Sequence, residues 1–537
     1  MRMKVSDYIA RKLVDEGISD VFMVTGGGAM HLDDGLGHEP GLHCTFNHHE
    51  QACAIAAECY ARIHNKIAAV CVTTGPGGTN AITGVVGGWL DSIPMLILSG
   101  QVRYDTTARS TGLGIRALGD QEFEITKAID CMTKYCEMVI DPMRIRFCLE
   151  KALYLAQTGR PGPCWLDIPL NVQGAYVETE ELLGFDKNDY EAGGTGWSVH
   201  GSGCDGCGLC AGKLIQGKPA MIPEDEAGKG EKRELLPPSV SLDLAREIVK
   251  KVREAKRPVI NAGNGIRIGK AFDVFQRVVE MLGIPVVTGW NSLDCMYDSH
   301  PLYVGRAGHM GDRPGNFAVQ NCDLLLSLGS RLSIRQVGYN YPTWAREAYV
   351  IYNDIDAEEL KKPTVHVDMP VHADVKDLLE KMEMVLEVEA VSADGGPKDK
   401  EAVDWWISRC QQWKEKYPVV LPKHYEAGED QPANIYAAIK EISRRAEEDQ
   451  ITVVGNGSPC VVGGHAYEMK KGQRFISNSA IASMGYDLPA AIGACLADHT
   501  KDIILVTGDG SIQMNLQELQ TIIHNHLPIK IFLINNG

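Results

Sequence analysis

Short apolar runs alternate with longer stretches rich in Ala or Gly along most of this chain. Residues 20–25, 68–73 and 94–99 are apolar, strand-length and bounded by Gly or Pro, and 50–63 and 79–90 between them are longer. Such alternation predicts βαβ units around a parallel sheet. The pattern returns at 257–262, 284–288, 323–328 and 348–354, and a third time at 451–455, 502–507 and 529–534. The fold class read from it is α/β, with three open, mainly parallel-sheet domains. Two stretches break the pattern. Residues 184–239 are rich in Gly, Pro and charge, and too long for an ordinary connection. Residues 388–400 form the second break. The expected organisation is a first domain over 1–183, an insert or linker over 184–239, a central domain over 240–390 and a last domain over 400–537.

Composition narrows the function classes. The chain has 537 residues, 44% apolar and 23% charged, as a globular protein has. Disorder and collagen are excluded as overall classes. Lys and Arg number 53 against 70 Asp and Glu, a net charge of −17. A dispersed acidic balance argues against nucleic-acid or membrane partners, so any bound phosphate needs local devices. Sixteen cysteines are present, and Cys53, Cys59, Cys71, Cys148, Cys164 and Cys495 lie in apolar stretches that suit buried free thiols. Residues 1–16 are charged and amphipathic, unlike a signal peptide, and no run of ~18 apolar residues appears. A reducing cytoplasm is the expected location.

The densest candidate chemistry is at the C-terminal end. A strand at 503–507 runs into Gly508-Asp509-Gly510-Ser511, a helical stretch covers 516–525, and a strand at 529–534 ends in Asn535-Asn536. Glycines let backbone approach a diphosphate, and helix N-terminal amides suit phosphate. Asp509 and Asn536 each offer a hard oxygen at a strand end, as magnesium prefers. Alone, Gly-Asp-Gly reads as a turn. Joined to the Asn pair at this spacing, it resembles the diphosphate motif of thiamine diphosphate (ThDP) enzymes.

That resemblance implies magnesium on Asp509 and Asn536, with a third ligand two residues after the Asn, at a position beyond Gly537. The last domain is therefore expected to be incomplete. Glu50, in Asn47-His48-His49-Glu50, matches the glutamate that hydrogen-bonds the cofactor's pyrimidine ring; its other reading is a helix-start carboxylate. Thr74-Gly75-Pro76-Gly77-Gly78-Thr79-Asn80 resembles the family's loop near the cofactor, placing Pro76 and Asn80 there, and Gly26 and Gly27 are assigned to the cofactor with them. Gly100-Gln101-Val102 resembles a segment of acetolactate synthases in which Gln101 would orient substrate. In the segment from Ala482 to Ala494, Met484 takes the place of the residue that props the cofactor into a bent shape, and the Ala482 carbonyl would receive its amino group. A Met there also reads as core filler.

The middle third resembles the FAD-holding segments of acetolactate synthases, with Arg335 placed to meet a substrate carboxylate. Ser333 and Ile334 stand where acidic residues are expected, and 305–315 departs as well, so FAD-bearing and FAD-free readings stand side by side. Arg331 and Arg335 also read as surface arginines. His200, Cys204, Cys207 and Cys210 have the spacing of a Zn2+ or iron–sulfur centre, or of free thiols in an insert.

The resemblance thus implies pyrimidine-binding, central Rossmann-like and diphosphate-binding domains. It implies a homodimer or homotetramer with Glu50 of one subunit facing Asp509 and Asn536 of another. The expected activity is ThDP- and Mg2+-dependent decarboxylation of a 2-oxo acid with carboligation, as in acetolactate synthase. Three alternatives remain open: a simple 2-oxo acid decarboxylase, a non-catalytic or partner-completed subunit of the same fold, and a redox protein using the Cys204–Cys207–Cys210 cluster.

Overall fold

The computed structural model describes residues 1–198, 236–390, 396–426, 428 and 431–537. Chain contacts divide it into two compact units, Met1–Ala57 with Ile67–Leu235, and Glu58–Lys66 with Leu236–Gly537.

The first unit is built on β1 (Asp20–Met23), β2 (His43–Phe46), α1 (Glu50–His64), β3 (Ala68–Val72), α2 (Pro76–Asp91), β4 (Met95–Gln101), β5 (Tyr135–Met138), α3 (Ile145–Gln157) and β6 (Pro163–Pro169). The six strands are parallel, in the order β2-β1-β3-β4-β6-β5. Strands β3, β4 and β6 are buried along their whole length, which is why β3 and β4 read as continuous apolar runs, whereas β6 was not picked out. The strand order reverses at β1, so the β1 and β3 loops flank a crevice at their carboxyl ends.

Residues 184–198, grouped with the linker by their polar average, belong to this unit's core. Phe185 and Tyr190 are buried there, and Trp197 stacks on Phe147 at 4.0 Å. Three aromatics fix this stretch, and an average over 56 residues of Gly, Pro and charge hides them. The His200, Cys204, Cys207 and Cys210 cluster lies outside the described residues.

The second unit holds two parallel sheets. The central one comprises β7 (Pro258–Ala262), β8 (Val286–Thr288), β9 (Tyr303–Arg306), β10 (Leu324–Leu328), β11 (Tyr349–Asp354) and β12 (Met369–His372), ordered β9-β8-β7-β10-β11-β12. Helices α4 (Leu242–Glu254), α5 (Phe272–Leu282), α6 (Arg313–Asn321), the one-turn α7 (Ile334–Val337) and α8 (Val375–Ala390) accompany it. Helix α9 (Lys400–Lys416), which the sequence grouped with the last domain, packs on this sheet: Val403, Trp406 and Cys410 enter its cores and Trp406 Nε1 donates to the Pro258 carbonyl at 3.1 Å.

The last sheet comprises β13 (Ile451–Val454), β14 (Arg474–Ile476), β15 (Ile503–Gly508) and β16 (Ile529–Ile534), ordered β14-β13-β15-β16. It carries α10 (Ile435–Arg445), α11 (Ser458–Ala466), α12 (Asp487–Ala497), α13 (Asp509–Gln513) and α14 (Glu518–His524). Its order reverses at β13, so the loops after β13 and β15 meet at one crevice. The thirteen cysteines among the described residues are thiols rather than disulfides. No helix among the described residues is long and apolar enough to cross a membrane.

Candidate active site

In the first unit, the predicted residues gather at the β1/β3 crevice. Glu50 opens α1, half-buried, and its carboxylate accepts the Asn80 Nδ2 amide at 3.0 Å. Thirty residues of sequence separate the two, and parallel β2 and β3 bring their helix starts together. Gly75 reaches φ +62° just before Pro76 begins α2, a turn that glycine makes without strain. The glycine loop after β1 is docked tightly: Gly28 N–H donates to Thr73 Oγ1 at 3.1 Å, and a Cβ on Gly26 would stand 2.5 Å from Thr73. Gly27 faces open space. Gly26 N–H donates to Asp33 at 3.0 Å, and burial raises the Asp33 carboxyl to about 6.

Gln101 is placed differently from its expected role. Its side chain is 1% exposed; its amide donates to Asp167 at 3.0 Å and the Phe123 carbonyl at 2.9 Å, and its oxygen accepts from Val102 N–H at 3.0 Å. Asp167, fully buried, also accepts from Ser99 at 2.6 Å, and burial pushes its carboxyl up to about 7. Both polar ends of the Gln101 side chain are bonded within the unit, which ties down the end of β4.

In the second unit, the crevice between β13 and β15 collects the C-terminal motifs. Parallel β15 and β16 pair Gly508 with Ile534, so Asp509 and Asn536 follow neighbouring strand ends. Asp509 is half-buried and Asn536 exposed. The N-terminus of α11 adjoins Gly508: a Cβ on that glycine would stand 3.8 Å from Pro459. Met484 is 45% exposed, and its Cε would lie 3.2 Å from a Cβ on Gly510. The predicted prop thus overhangs the Gly-Asp-Gly turn. Ser511, 1% exposed, accepts Gly485 N–H at 3.0 Å and joins the turn to the Met484 loop. Asp487, buried at the start of α12, accepts from the Thr507 hydroxyl, and burial raises its carboxyl.

Three residues of this crevice escaped the sequence reading. Asn456, between β13 and α11, donates to Asn478 and to the Ser483 carbonyl at 2.7 Å, and Asn515 donates to the Gly485 carbonyl at 2.7 Å. The available signal was Gly455-Asn456-Gly457 directly after a strand, a glycine-flanked amide at a strand end.

Arg335 sits on α7 after two left-handed residues, Arg331 (φ +56°) and Leu332 (φ +42°). Its positive charge acts on the Cys460 thiol of α11, opposing the rise that burial gives that thiol. Arg335 thus lies near enough to the start of α11 for its charge to be felt there. The central sheet's own crevice, between β7 and β10, is filled by the chain. Gly263 N–H donates to the Leu328 carbonyl and Gly265 N–H to the Gly329 carbonyl, both at 2.9 Å, and a Cβ on Gly263 would stand 2.2 Å from the Gly329 oxygen. Buried Gln336 donates to Asn261 at 3.0 Å, Asn261 to Ser327 at 3.0 Å, and Ser292 to the Ala262 carbonyl at 2.7 Å.

Comparison with known proteins agrees with this arrangement. Residues 3–123 match the family described as thiamine pyrophosphate enzyme, N-terminal TPP binding domain; 245–382 match its central domain; 455–537 match its C-terminal TPP binding domain. The last match shows that the C-terminal domain, which the sequence reading took to be cut short, is present over 455–537. A probable acetolactate synthase large subunit of Methanococcus aeolicus is 30% identical over 99% of this chain and 80% of its own length. The acetolactate synthase large subunit of Lactococcus lactis subsp. lactis (strain IL1403) is likewise 30% identical, over 99% and 80%. Acetolactate synthase isozyme 3 large subunit of Escherichia coli (strain K12) is 29% identical over 99% and 82%. The two crevices, the three matched domains in order and these relatives, matched over nearly the whole of this chain, place it in the thiamine pyrophosphate (thiamine diphosphate) enzyme family, beside the acetolactate synthase large subunits.

Proposed function

We propose that this chain decarboxylates a pyruvate-like 2-oxo acid and joins the remaining acyl unit to a second carbonyl compound, using ThDP and Mg2+. One observation carries the reading. Asp509 and Asn536 follow adjacent parallel strands at the same crevice that receives the N-terminus of α11 and the Met484 overhang. Oxygen donors, exposed helix amides and an apolar prop are what a magnesium diphosphate joined to an aromatic ring needs.

When bound, ThDP supplies a nucleophilic carbon and an electron sink. The residues do the rest. Asp509 and Asn536 would hold Mg2+, and Gly508, Gly510, Ser511 and α11 would receive the diphosphate. Glu50, steadied by Asn80, would exchange a proton with the pyrimidine ring. Gly26, Gly27 and Pro76 would shape the ring's surroundings, with the Ala482 carbonyl and Met484 opposite. Arg335 would hold the acceptor's carboxylate, which favours ligation over release of an aldehyde. A homodimer in which one subunit's Glu50 serves its partner's diphosphate crevice is part of this reading. The exposed Met484, Met514 and Leu516 around that crevice support it, as surface for a second copy to cover.

The filled β7/β10 crevice favours a site without FAD, so no step is assigned to a flavin. The test is product analysis. Purified chain with ThDP, Mg2+ and pyruvate should release carbon dioxide and form acetolactate, and as isolated it should lack flavin absorbance near ~450 nm. Acetaldehyde as the sole product would replace ligation with simple decarboxylation. A stoichiometric yellow flavin would overturn the FAD-free part alone.

A further inference from the structure

The loop that carries Ala482 and Met484 is held in a conformation its own residues disfavour. Ala482 has φ +56°, the left-handed region where a Cβ crowds the following carbonyl and where glycine sits freely. Non-glycine residues persist there only when their surroundings over-determine them. Two asparagines do so. The backbone carbonyl of residue 478 accepts Ala482 N–H at 2.9 Å, a bond any residue there makes, and the Asn478 side chain adds its own hold, Nδ2 donating to Ser483 Oγ at 2.8 Å. Asn456 Nδ2 donates to Asn478 Oδ1 and to the Ser483 carbonyl at 2.7 Å. Both asparagines are buried, 7% and 2% exposed, so their amides do not exchange these partners for water at little cost. Asn456 also leads into α11, whose N-terminus adjoins Gly508. The pair therefore ties the diphosphate end of the crevice to the loop at its other end.

We propose that Asn456 and Asn478 are positioning residues for the cofactor: they clamp Ala482 left-handed and so fix its carbonyl and Met484 for the bound pyrimidine ring. The proposal rests on the ThDP reading of this crevice. It makes the clamp a requirement of this chain because an alanine occupies the left-handed position; a glycine there would need less holding.

The test is ThDP affinity of the full chain with Mg2+, measured by titration calorimetry for the parent, N478A, A482G and the double variant N478A/A482G, with thermal unfolding followed in parallel. N478A is expected to weaken ThDP binding about tenfold, the scale of losing one left-handed alanine. In the N478A background A482G should recover most of the loss, with A482G alone as the reference for that recovery. A general loss of folding would not be recovered by a glycine, so the double variant separates positioning from stability. N478A binding as the parent does, or a folded double variant binding no better than N478A, would overturn the proposal. Should N478A fail to fold, N456S carries the same test, with a loss that A482G recovers as the expected result and unchanged affinity as the overturning one. A parent that binds no ThDP would sink the functional reading, and this proposal with it; a binding parent with indifferent variants sinks this proposal alone.

Discussion

Two features hold the Glu50 carboxyl in place: its position in the first turn of α1 and the Asn80 amide at 3.0 Å. A glutamine keeps an oxygen for Asn80 but cannot exchange a proton. Glu50→Gln should therefore lower kcat by about 10²–10⁴-fold while ThDP affinity moves only a few-fold, read by steady-state kinetics beside calorimetry. Equal kcat would remove Glu50 from the proton's path. Asp167 gives a pH effect with a definite sign. Its folded carboxyl titrates at about 7 because burial disfavours the charge, while the unfolded one titrates near 3.8. Between those values the folded state holds more protons, so stability falls as pH rises through that window. Asp167→Asn should flatten the decline of melting temperature between about pH 4 and 7, the window that the shift defines. An unchanged slope would mean the carboxyl is not the source. Glu50 and Asn80 were legible as residues because each lies in a short local motif. Gln101 was legible as a motif but not in its use, since its three partners come from Asp167, Phe123 and Val102.

Among the elements, the strand ends carry the proposed site. Strands β15 and β16 were visible as apolar runs, and their parallel register puts Gly508 beside Ile534. Asp509 and Asn536 thus become neighbours through backbone hydrogen bonds and not through sequence proximity. Asp509→Ala or Asn536→Ala should raise the Mg2+ concentration needed for half-maximal ThDP binding by about 10–100-fold, measured by titrating Mg2+ at fixed ThDP. An unchanged requirement in both would move the metal elsewhere. Several of the elements that the sequence left unread are short or mixed, although the seven-residue Pro163–Pro169 strand was missed as well. Tyr135–Met138 and Arg474–Ile476 are sheet-edge strands of four and three residues, and the strand at Gly184–Phe185 is held by aromatics scattered through a polar stretch. Their apolar signal is too brief to rise above their neighbours, and pairing with a sheet supplies what local pattern lacks.

For the whole molecule, each half of the proposed site lies in a different compact unit, Glu50 in one and Asp509 in the other. If a second copy supplies the missing half, two inactive variants should rescue each other. Mixed under subunit exchange, Glu50→Gln and Asp509→Ala should regain about a quarter of parental activity, because a mixed dimer keeps one intact site. No recovery, with exchange verified by mass, would place both halves of a site in one subunit. The sequence by itself determined the α/β class, the three sheets, the buried strands and the Gly-rich turns, because hydrophobic period, chain punctuation and short motifs are local properties. Tertiary structure alone decided three things. It paired Asn456 with Asn478 around a left-handed Ala482, it buried Gln101 against Asp167, and it filled the β7/β10 crevice with Asn261, Ser327 and Gln336. Each depends on residues far apart in the chain meeting at buried polar atoms, and a buried donor takes its partner from whatever the fold brings near, which no local pattern encodes.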